Sequence, residues 1–433
     1  MAANPEHVSD RLATLLRGHT IEELRERLAP RFDEPAARVT PGSRITPDAV
    51  DRRWEALPAD PSVRDQLLDP HTRGQMEAYE KNIESFLGTV KVPVGVAGPL
   101  RVNGLFAKGD YYLPLATTEA ALVASYNRGA QLISEAGGCT TLLLNEGVSR
   151  APGFAFRSLA DSGQFVVWVL SQVEAFRRIA ESTTRYGKLV DVRMTVEGNH
   201  VYLNFEFTTG DASGQNMVTL ATEAICDYIS ASTPVTPEYF FVEANLSGDK
   251  KASAQSFLSV RGKKATAEVT LPAELVAERL HTTSERMTDY WRMSAMGGVL
   301  SGTMGVQGHF ANGLAAIYLA CGQDVACVSE SAVGITRFEL TSDGALYATV
   351  TLPNIMVGTV GGGTGLPSQR ASLELMGLAG PDKAQAMAEV CAGLCLAGEL
   401  SIIGALCSGD FSRAHKVFAR RTGRLRPKGP TGG

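Results

Sequence analysis

The sequence predicts a mixed α+β fold with a large helix-rich domain, an inserted ferredoxin-like unit and a small N-terminal helical segment. Two observations predict the inserted unit. Residues 189–196 and 201–208 carry apolar side chains at every second position, and the residues EGNH at 197–200 between them are typical of a hairpin turn. Residues 172–181 and 217–230 have helical periodicity and flank this hairpin.

Further elements complete the inserted unit. The apolar run at 165–170 is predicted as its first strand, which gives the order β-α-β-β-α, and another apolar piece follows at 239–242. From residue 265 onward, helical stretches alternate with strands such as 345–352. The predicted parts are an N-terminal helical segment (1–90), a large domain (91–151 and 242–410), the ferredoxin-like unit (152–241), and a C-terminal helix with a mobile tail (411–433).

The start of the large domain has clear local signals. Residues 91–100 are too rich in glycine and proline for a helix, so we expect a strand that runs into a loop. Residues 113–116 lead into a helix that is predicted to begin at about Thr118 and to stop at Gly137 and Gly138.

Composition favours a cytoplasmic enzyme. The 433 residues are 44% apolar and 20% charged, as in ordinary globular proteins. The net charge of −5 excludes a general affinity for nucleic acid or anionic membranes. The seven cysteines show no CxxC spacing, which favours free thiols over disulfides or a metal site. Residues 390–407 are apolar but short for a membrane span and are interrupted by Glu399, so we expect a buried helix.

Four places have unusual charged residues. At Asp249-Lys250-Lys251 two adjacent ammonium groups repel each other, so we expect this segment in a solvated loop or beside an anion. Glu119 is predicted at the start of a helix, where it either favours the helix dipole or, beside a like charge such as Asp324, delivers a proton. Asp324 is predicted at the end of an apolar helix, where it opposes the dipole unless it is exposed or compensated by an ammonium group.

His415 is the fourth place. It lies in a basic terminal helix, where it is either an exposed histidine or a proton donor to a leaving group. A cation, two carboxylates and an imidazole form a set that suits the reduction of a carbonyl with proton transfer.

Two glycine-containing loops are candidates for binding an anion. The residues GDASGQNM at 210–217 join a strand to a helix, and their small side chains let backbone N–H groups approach a pyrophosphate. The pattern is not GxGxxG, and a simple tight turn explains it equally well. The glycines at 361–363 are a weaker second candidate.

Taken together, several segments resemble the 3-hydroxy-3-methylglutaryl-CoA (HMG-CoA) reductase family. The matching segments are VPVGVAGPL (92–100), LATTEAALVASYNRGA (115–130), TTGDASGQNM (208–217), GDKK (248–251), ACGQDVA (320–326), LPNIMVGTVGGGTGL (352–366), and LAGELSIIGAL with AHK (396–406, 414–416). They occur in order over residues 90–420, and their joint occurrence is specific.

The resemblance implies an activity and a set of site residues. It implies the reduction of HMG-CoA to mevalonate and CoA in the mevalonate pathway, with NADPH expected and NADH as the alternative. It implies a homodimer or a dimer of dimers with active sites shared between subunits, and no metal. The implied catalytic residues are Glu119, Lys250, Asp324 and His415. The implied substrate-binding residues are Arg150, Asp249, Lys251, Arg292, His309 and Asn312, with Asn127 and Arg128 nearer the CoA. The implied cofactor-binding residues are Thr184, Arg185, Asp211, Ser213, Gly214, Gln215, Asn216, Met217, Gly361 and Gly362.

The sequence departs from the family pattern at a few positions. Glu243-Ala244-Asn245 stands where the family usually has Ser-Gly-Asn, and Arg292 replaces a usual lysine. Ser213 and Gln215 replace methionines of the cofactor loop, and Ala414 stands where a serine often precedes the histidine. The alternatives are a reductase of a related acyl-CoA, an enzyme that oxidises mevalonate, or a non-catalytic CoA- or nucleotide-binding protein.

Overall fold

The computed structural model describes residues 5–32, 38–39, 41–259 and 261–409. It has two compact units, with the boundary between Val90 and Lys91. The helices of the first unit are α1 (Pro5–Leu16), α2 (Ile21–Leu28), α3 (Pro47–Glu55), α4 (Pro61–Leu67) and α5 (Pro70–Gly74). The last three begin alike, because Thr46, Asp60 and Asp69 cap them and a proline occupies the first turn. Their apolar side chains form a core of their own around Val50 and Trp54.

The second unit is built on a large sheet. Its strands are β1 (Val94–Gly104), β2 (Lys108–Ala116), β3 (Cys139–Arg150), β4 (Gly153–Ala155), β5 (Lys188–Glu197), β6 (His200–Thr208), β7 (Tyr239–Phe241), β8 (Gly262–Leu271), β9 (Gly305–Val306), β10 (Gly334–Leu340) and β11 (Leu346–Ile355). The main order is β7-β4-β6-β3-β8-β11-β10-β9, while β1 pairs with β2 and β3, and β5 pairs with β6. The predicted mixed fold class is confirmed.

Helices cover this sheet. They are α6 (Leu122–Glu135), α7 (Leu159–Thr183), α8 (Gln215–Ser232), α9 (Gln255–Leu258), α10 (Ala273–Leu280), α11 (Ser284–Ser301), α12 (Phe310–Ala320), α13 (Val328–Ser331), α14 (Pro367–Leu375) and α15 (Ala384–Ser408). By length and composition α15 is apolar enough to cross a membrane, but 89% of its most apolar window is buried inside the protein. It is therefore the central helix of the core, as the sequence predicted.

The close approach of α6 to α15 depends on a glycine. A Cβ built on Gly129 of α6 lies only 1.9 Å from the carbonyl oxygen of Ala397 in α15, so a larger residue forces the two helices apart. This contact holds α6, and the residues that precede it, against the core helix.

One end of the large sheet, formed by four strands, has ferredoxin-like topology. Its strands are all antiparallel in the order β7-β4-β6-β5, and α7 and α8 supply the two crossovers. The strand predicted at 165–170 is wrong, because these residues lie inside α7. Periodicity cannot separate a short apolar strand from a buried helical segment. Ser158 caps this helix at its start, and no glycine or proline after Gly163 interrupts it before Thr183.

Two other local predictions need correction. The helix predicted from Thr118 begins at Leu122 instead, after a turn in which Ala121 has a left-handed conformation with φ of 70°. Asp324 does not oppose a helix dipole, because α12 ends at Ala320 and the Asp324 carboxylate caps a short 3₁₀ turn by accepting the N–H of Ala326 at 3.0 Å.

Candidate active site

An ion pair brings two of the predicted catalytic residues together. The Nζ atom of Lys250 lies 3.1 Å from Oδ2 of Asp324, and the hydrogen bond that it donates raises the pKa of the Lys250 ammonium above its ordinary value of 10.5. Gln215, at the start of α8, also reaches this place, with Nε2 at 3.4 Å from Asp324 Oδ2 and 2.8 Å from the thiol of Cys327. The arrangement keeps a charged, oriented amine beside the predicted cofactor loop.

The backbone at Lys250 is strained. Its φ is 57°, a left-handed value that a lysine rarely adopts, and such strain costs about 1–3 kcal/mol. The turn is held by its neighbours, since the Lys251 N–H donates to Gly248 and the Lys251 ammonium donates to the carbonyl oxygen of Asp249 at 2.8 Å. Residues held in this way are typical of functional sites.

A buried network fixes the carboxylate before Lys250. Asp249 accepts from Arg150 at 2.9 Å and from Arg261, which also lies 3.3 Å from Glu330. Burial alone would raise the pKa of Asp249, but the two guanidinium groups outweigh it and hold the pKa below the usual range. Glu243 joins the network through Arg150, at 3.4 Å.

The two glycine-containing loops are in contact. A Cβ built on Gly358 meets the backbone nitrogen of Ser213 at 2.5 Å, and the Thr359 N–H donates to the carbonyl oxygen of Asp211 at 2.8 Å. The Asp211 carboxylate accepts the N–H group of Ala384, the first residue of α15, and the N–H groups of the two residues before it. It therefore stabilises the N-terminus of that helix. A Cβ on Gly361 or Gly362 meets no described atom within 4 Å, so open space adjoins this backbone. This open space leaves room for a phosphate-bearing cofactor, while the N–H groups that donate to Asp211 are already used within the protein.

The other predicted cofactor residues share this side of the protein. Gly214 is the residue before α8, with φ of 78°, and Asn216 and Met217 lie in its first turn. Met217 packs on the turn that contains Thr184, because a Cβ on Gly187 meets the Met217 sulfur at 2.7 Å and the Thr184 methyl carbon at 2.8 Å. Arg185 is exposed next to Thr184.

A separate group of predicted residues lines one cavity. The cavity has a volume of about 650 Å³, and its walls include Glu119, Arg128, His309 and Asn312. Glu119 is exposed and lies three residues before α6. Among the described residues of this chain, no hydrogen bond or ion pair joins Glu119 to Lys250 or Asp324. Lys250 and Asp324 are not among the residues that line this cavity.

Helix α15 holds His309 in place. The buried Glu399 accepts the backbone N–H groups of Gly308 and His309 at 2.7 and 2.8 Å, and the hydroxyl group of Thr336 at 2.8 Å. The imidazole Nε2 lies 2.9 Å from the carbonyl oxygen of Gly398, so Nε2 carries the proton and donates it. In the neutral ring Nδ1 is then an acceptor.

The remaining candidates have partners of other kinds or lie elsewhere. Asn127 accepts the N–H of Gly98 at 3.0 Å, and Arg128 donates to the Ser401 backbone at 2.7 Å. Arg292 is exposed on α11 and pairs at 2.9 Å with Asp289, which lies one turn earlier. Its described hydrogen bonds do not reach the Arg150 network. His415 lies outside the described residues.

Arg261 and Glu399 were not predicted from the sequence as site residues. Both are buried charged side chains in apolar surroundings, and a buried charge requires partners. Glu399 was recognised only as an interruption of an apolar helix, although that interruption was the signal. Arg261 stands just before a strand whose alternate residues are apolar, so its position gave a weaker signal.

Comparisons with known proteins bear on this site. Residues 49–420 match the family model for hydroxymethylglutaryl-coenzyme A reductase. The chain therefore belongs to the hydroxymethylglutaryl-coenzyme A reductase family. The 3-hydroxy-3-methylglutaryl-coenzyme A reductase of Pyrococcus horikoshii is 41% identical over 411 residues, which cover 92% of this chain and 98% of that protein. That of Haloferax volcanii is 44% identical over 350 residues, covering 79% and 86%.

Solved reductase structures have the same fold. A class II 3-hydroxy-3-methylglutaryl-CoA reductase from Streptococcus pneumoniae, bound to NADPH in open conformations, superposes with a TM-score of 0.62 at 18% identity and covers 80% of this chain and 95% of that one. By its family membership, the present chain is an oxidoreductase of the mevalonate pathway. It uses a nicotinamide cofactor to reduce HMG-CoA to mevalonate and CoA.

Proposed function

We propose that Lys250, Asp324, Glu119 and His415 carry the charge and proton chemistry of this reduction. The observation that supports the proposal is the 3.1 Å ion pair between Lys250 and Asp324 beside Gln215 of the cofactor loop. Lys250 donates to the substrate oxygen on which negative charge develops, and Asp324 keeps the amine charged and oriented. A donor of this kind contributes roughly 10²–10³ in rate.

The four residues act in two rounds of reduction. Nicotinamide, when bound, supplies one hydride to the thioester carbon and, in the second round, one hydride to the aldehyde carbon. Lys250 stabilises the alkoxide of the hemithioacetal, which collapses to mevaldehyde and the CoA thiolate. His415 gives the thiolate a proton, so that it does not return to the aldehyde. Glu119 gives a proton to the aldehyde oxygen, and the products are mevalonate and CoA from two hydrides and two protons.

The substrate is assigned to two groups of residues, the Arg150 network and the cavity wall. The acyl group contacts Arg150, Asp249 and Lys251 beside the catalytic amine. Arg292, whose described hydrogen bonds do not reach this network, is assigned to the acyl group only in a site that two subunits share. His309 and Asn312 contact the substrate from the cavity wall, and Asn127 and Arg128 lie nearer the CoA. The cavity of about 650 Å³ supports this assignment, because its size suits a long, flexible ligand.

We assign NADPH as the preferred cofactor over NADH. Support comes from the exposed guanidinium group of Arg185 beside Thr184, which suits the extra 2′-phosphate of NADPH. The test follows the loss of reduced-nicotinamide absorbance with purified protein and HMG-CoA, and identifies the product. We expect higher kcat/KM with NADPH, and in Arg185→Ala a larger loss with NADPH than with NADH. An unchanged preference in the variant contradicts the assignment, and absence of mevalonate contradicts the proposed chemistry.

We further propose a dimer, or a dimer of dimers, in which each active site uses two subunits. Lys250 is absent from the walls of the cavity that Glu119 lines, which supports this arrangement, as does an exposed apolar face on α11 that includes Met293, Val299 and Leu300. Coexpressed Glu119→Ala and Lys250→Ala subunits should regain activity as mixed dimers, although each variant alone is inactive. Mixed dimers that remain inactive contradict a shared site.

We assign the protein to the cytoplasm. All seven cysteines lie in the described part of the chain as free, buried thiols, which is typical of proteins in a reducing compartment. Cell fractionation tests this assignment, and recovery in the membrane fraction contradicts it.

A further inference from the structure

The surroundings of Arg150 contain more negative charge than one guanidinium group can balance. Its side chain is only 8% exposed, and its NH1 group lies 2.9 Å from Asp249 and 3.4 Å from Oε2 of Glu243. The same Glu243 oxygen also accepts the backbone N–H of Ala151 at 3.2 Å and the hydroxyl group of Ser247 at 2.9 Å. Glu243 is therefore built into the protein as a partner of Arg150.

Among the described residues, the wider network provides no guanidinium group that is free of a carboxylate partner. Arg261 is shared between Asp249 and Glu330, so in this part of the described chain two guanidinium groups face three carboxyl groups. Burial raises the pKa of Glu330, while Asp249 is held ionised by both arginines. Even without Glu330, the carboxylates of Asp249 and Glu243 match the charges of Arg150 and Arg261 one for one.

Three buried side-chain atoms in this network lack hydrogen-bond partners among the described residues: Nε of Arg150, Oε1 of Glu243 and Oε2 of Glu330. The Nε–H donor of Arg150 and the Oε1 acceptor of Glu243 are both buried, and no described group bonds to either. An unpaired buried donor and an unpaired buried acceptor each cost free energy. A ligand carboxylate that pairs with Arg150 becomes its third carboxylate partner, next to Asp249 and Glu243.

We propose that Glu243 is a resident carboxylate that competes with the acyl carboxylate of the substrate for Arg150. It thereby weakens the selection of acyl chains that end in a carboxylate. The inference rests on the proposed placement of the acyl group at Arg150. The lysine loop tempers the competition, because the exposed Lys251 ammonium lies beside Asp249 and can turn toward an entering anion. Glu243 is thus a residue that determines specificity rather than one that performs chemistry.

The test compares two ligands. One is HMG-CoA, and the other is its analogue in which the acyl carboxylate is replaced by an uncharged carboxamide. The wild-type protein should bind the two with affinities within about threefold of each other, because Glu243 offsets the attraction of Arg150 for the charge. A wild-type preference of a hundredfold or more for the carboxylate, on the same scale, overturns the proposal.

A variant isolates the charge. Glu243→Gln keeps the length of the side chain and an acceptor for Ala151, but removes the negative charge. We expect KM for HMG-CoA to fall by about tenfold, with no change for the carboxamide and with kcat nearly constant. Equal changes for both ligands, or none for HMG-CoA, contradict the proposal. The matched control is Glu238→Gln, an exposed carboxylate paired with the exposed Arg157, which should change neither KM.

A third variant separates this inference from the proposed function. Arg150→Lys removes the orphan Nε donor, and it should weaken the binding of HMG-CoA if the acyl group lies at Arg150. Unchanged binding of both ligands overturns the placement of the acyl group, and the competition with it. If Arg150→Lys binds HMG-CoA more weakly but Glu243→Gln leaves KM for HMG-CoA unchanged, only the proposed competition is overturned.

Discussion

The substitution Asp324→Asn separates the catalytic contribution of the Lys250 ion pair from its contribution to stability. Asparagine retains an oxygen that can cap the 3₁₀ turn through Ala326, so the local backbone keeps its hydrogen bond. What is lost is the negative charge at Oδ2, which lies 3.1 Å from the Lys250 amine.

The expected magnitudes differ strongly between the two readouts. The side chains of Lys250 and Asp324 are 44% and 39% exposed, so solvent screens the pair, and its loss should lower the free energy of unfolding by no more than about 1 kcal/mol. If the pair orients the amine for catalysis, kcat should fall by roughly 10²-fold or more. Urea unfolding and steady-state turnover measure the two quantities on the same preparation.

The pH dependence has a definite sign. The hydrogen bond to Asp324 raises the pKa of Lys250 in the folded protein, so its stabilisation is fully present below the unfolded pKa and is lost as pH rises through the folded pKa. Without the carboxylate, the pKa of Lys250 falls. The decline of kcat on the alkaline side should therefore begin at lower pH in Asp324→Asn than in the wild-type protein.

A matched ion pair serves as the control. Asp110 is also 39% exposed and pairs with Arg101, so Asp110→Asn removes a comparable charge contact elsewhere. It should change stability by a similar small amount and leave kcat and its pH profile unchanged. The reasoning is refuted if Asp324→Asn retains wild-type kcat, or if both aspartate variants lose turnover equally.

Three further predictions address other parts of the protein. His415→Gln, at a residue outside the described structure, should spare the reduction of free mevaldehyde and slow the thioester step by roughly 10²–10⁴-fold; equal loss of both activities contradicts its role as proton donor to the thiolate. Glu389→Gln should lower the free energy of unfolding by about 1–3 kcal/mol in urea, because the buried carboxylate accepts three backbone N–H groups at 105–107; unchanged stability contradicts this. Gly129→Ala should destabilise by about 1–3 kcal/mol despite the better helix propensity of alanine, since its Cβ meets Ala397 of α15 at 1.9 Å; a rise in melting temperature contradicts this close approach.

The sequence predicted the elements whose signals are local. The hairpin of β5 and β6, the helix α8 and the buried helix α15 were predicted because alternation, turn residues and continuous apolar character are all visible in one segment. The apolar run at 165–170 was assigned to a strand, because its six residues have no period and the evidence for a helix lay in its flanks.

The site was only partly predictable for a similar reason. The charge of Lys250 and of Asp324 suggested that each needed a partner, and they proved to be partners of each other. Arg150 shares its partner Asp249 with Arg261, which lies 111 positions away in sequence and gave little signal. The predicted start of α6 at Thr118 lies four residues before the observed start at Leu122, because Ala121 has a left-handed conformation, and Glu119 therefore precedes the helix.

The central claim is that the Lys250 ammonium stabilises the oxygen anion formed in both reductions. The most direct measurement compares Lys250→Ala with the wild-type protein in the reduction of HMG-CoA and, separately, in the reduction of free mevaldehyde. The account predicts that both rates fall by at least about 10²-fold, while binding of the reduced cofactor persists. A variant that still reduces mevaldehyde at the wild-type rate contradicts it.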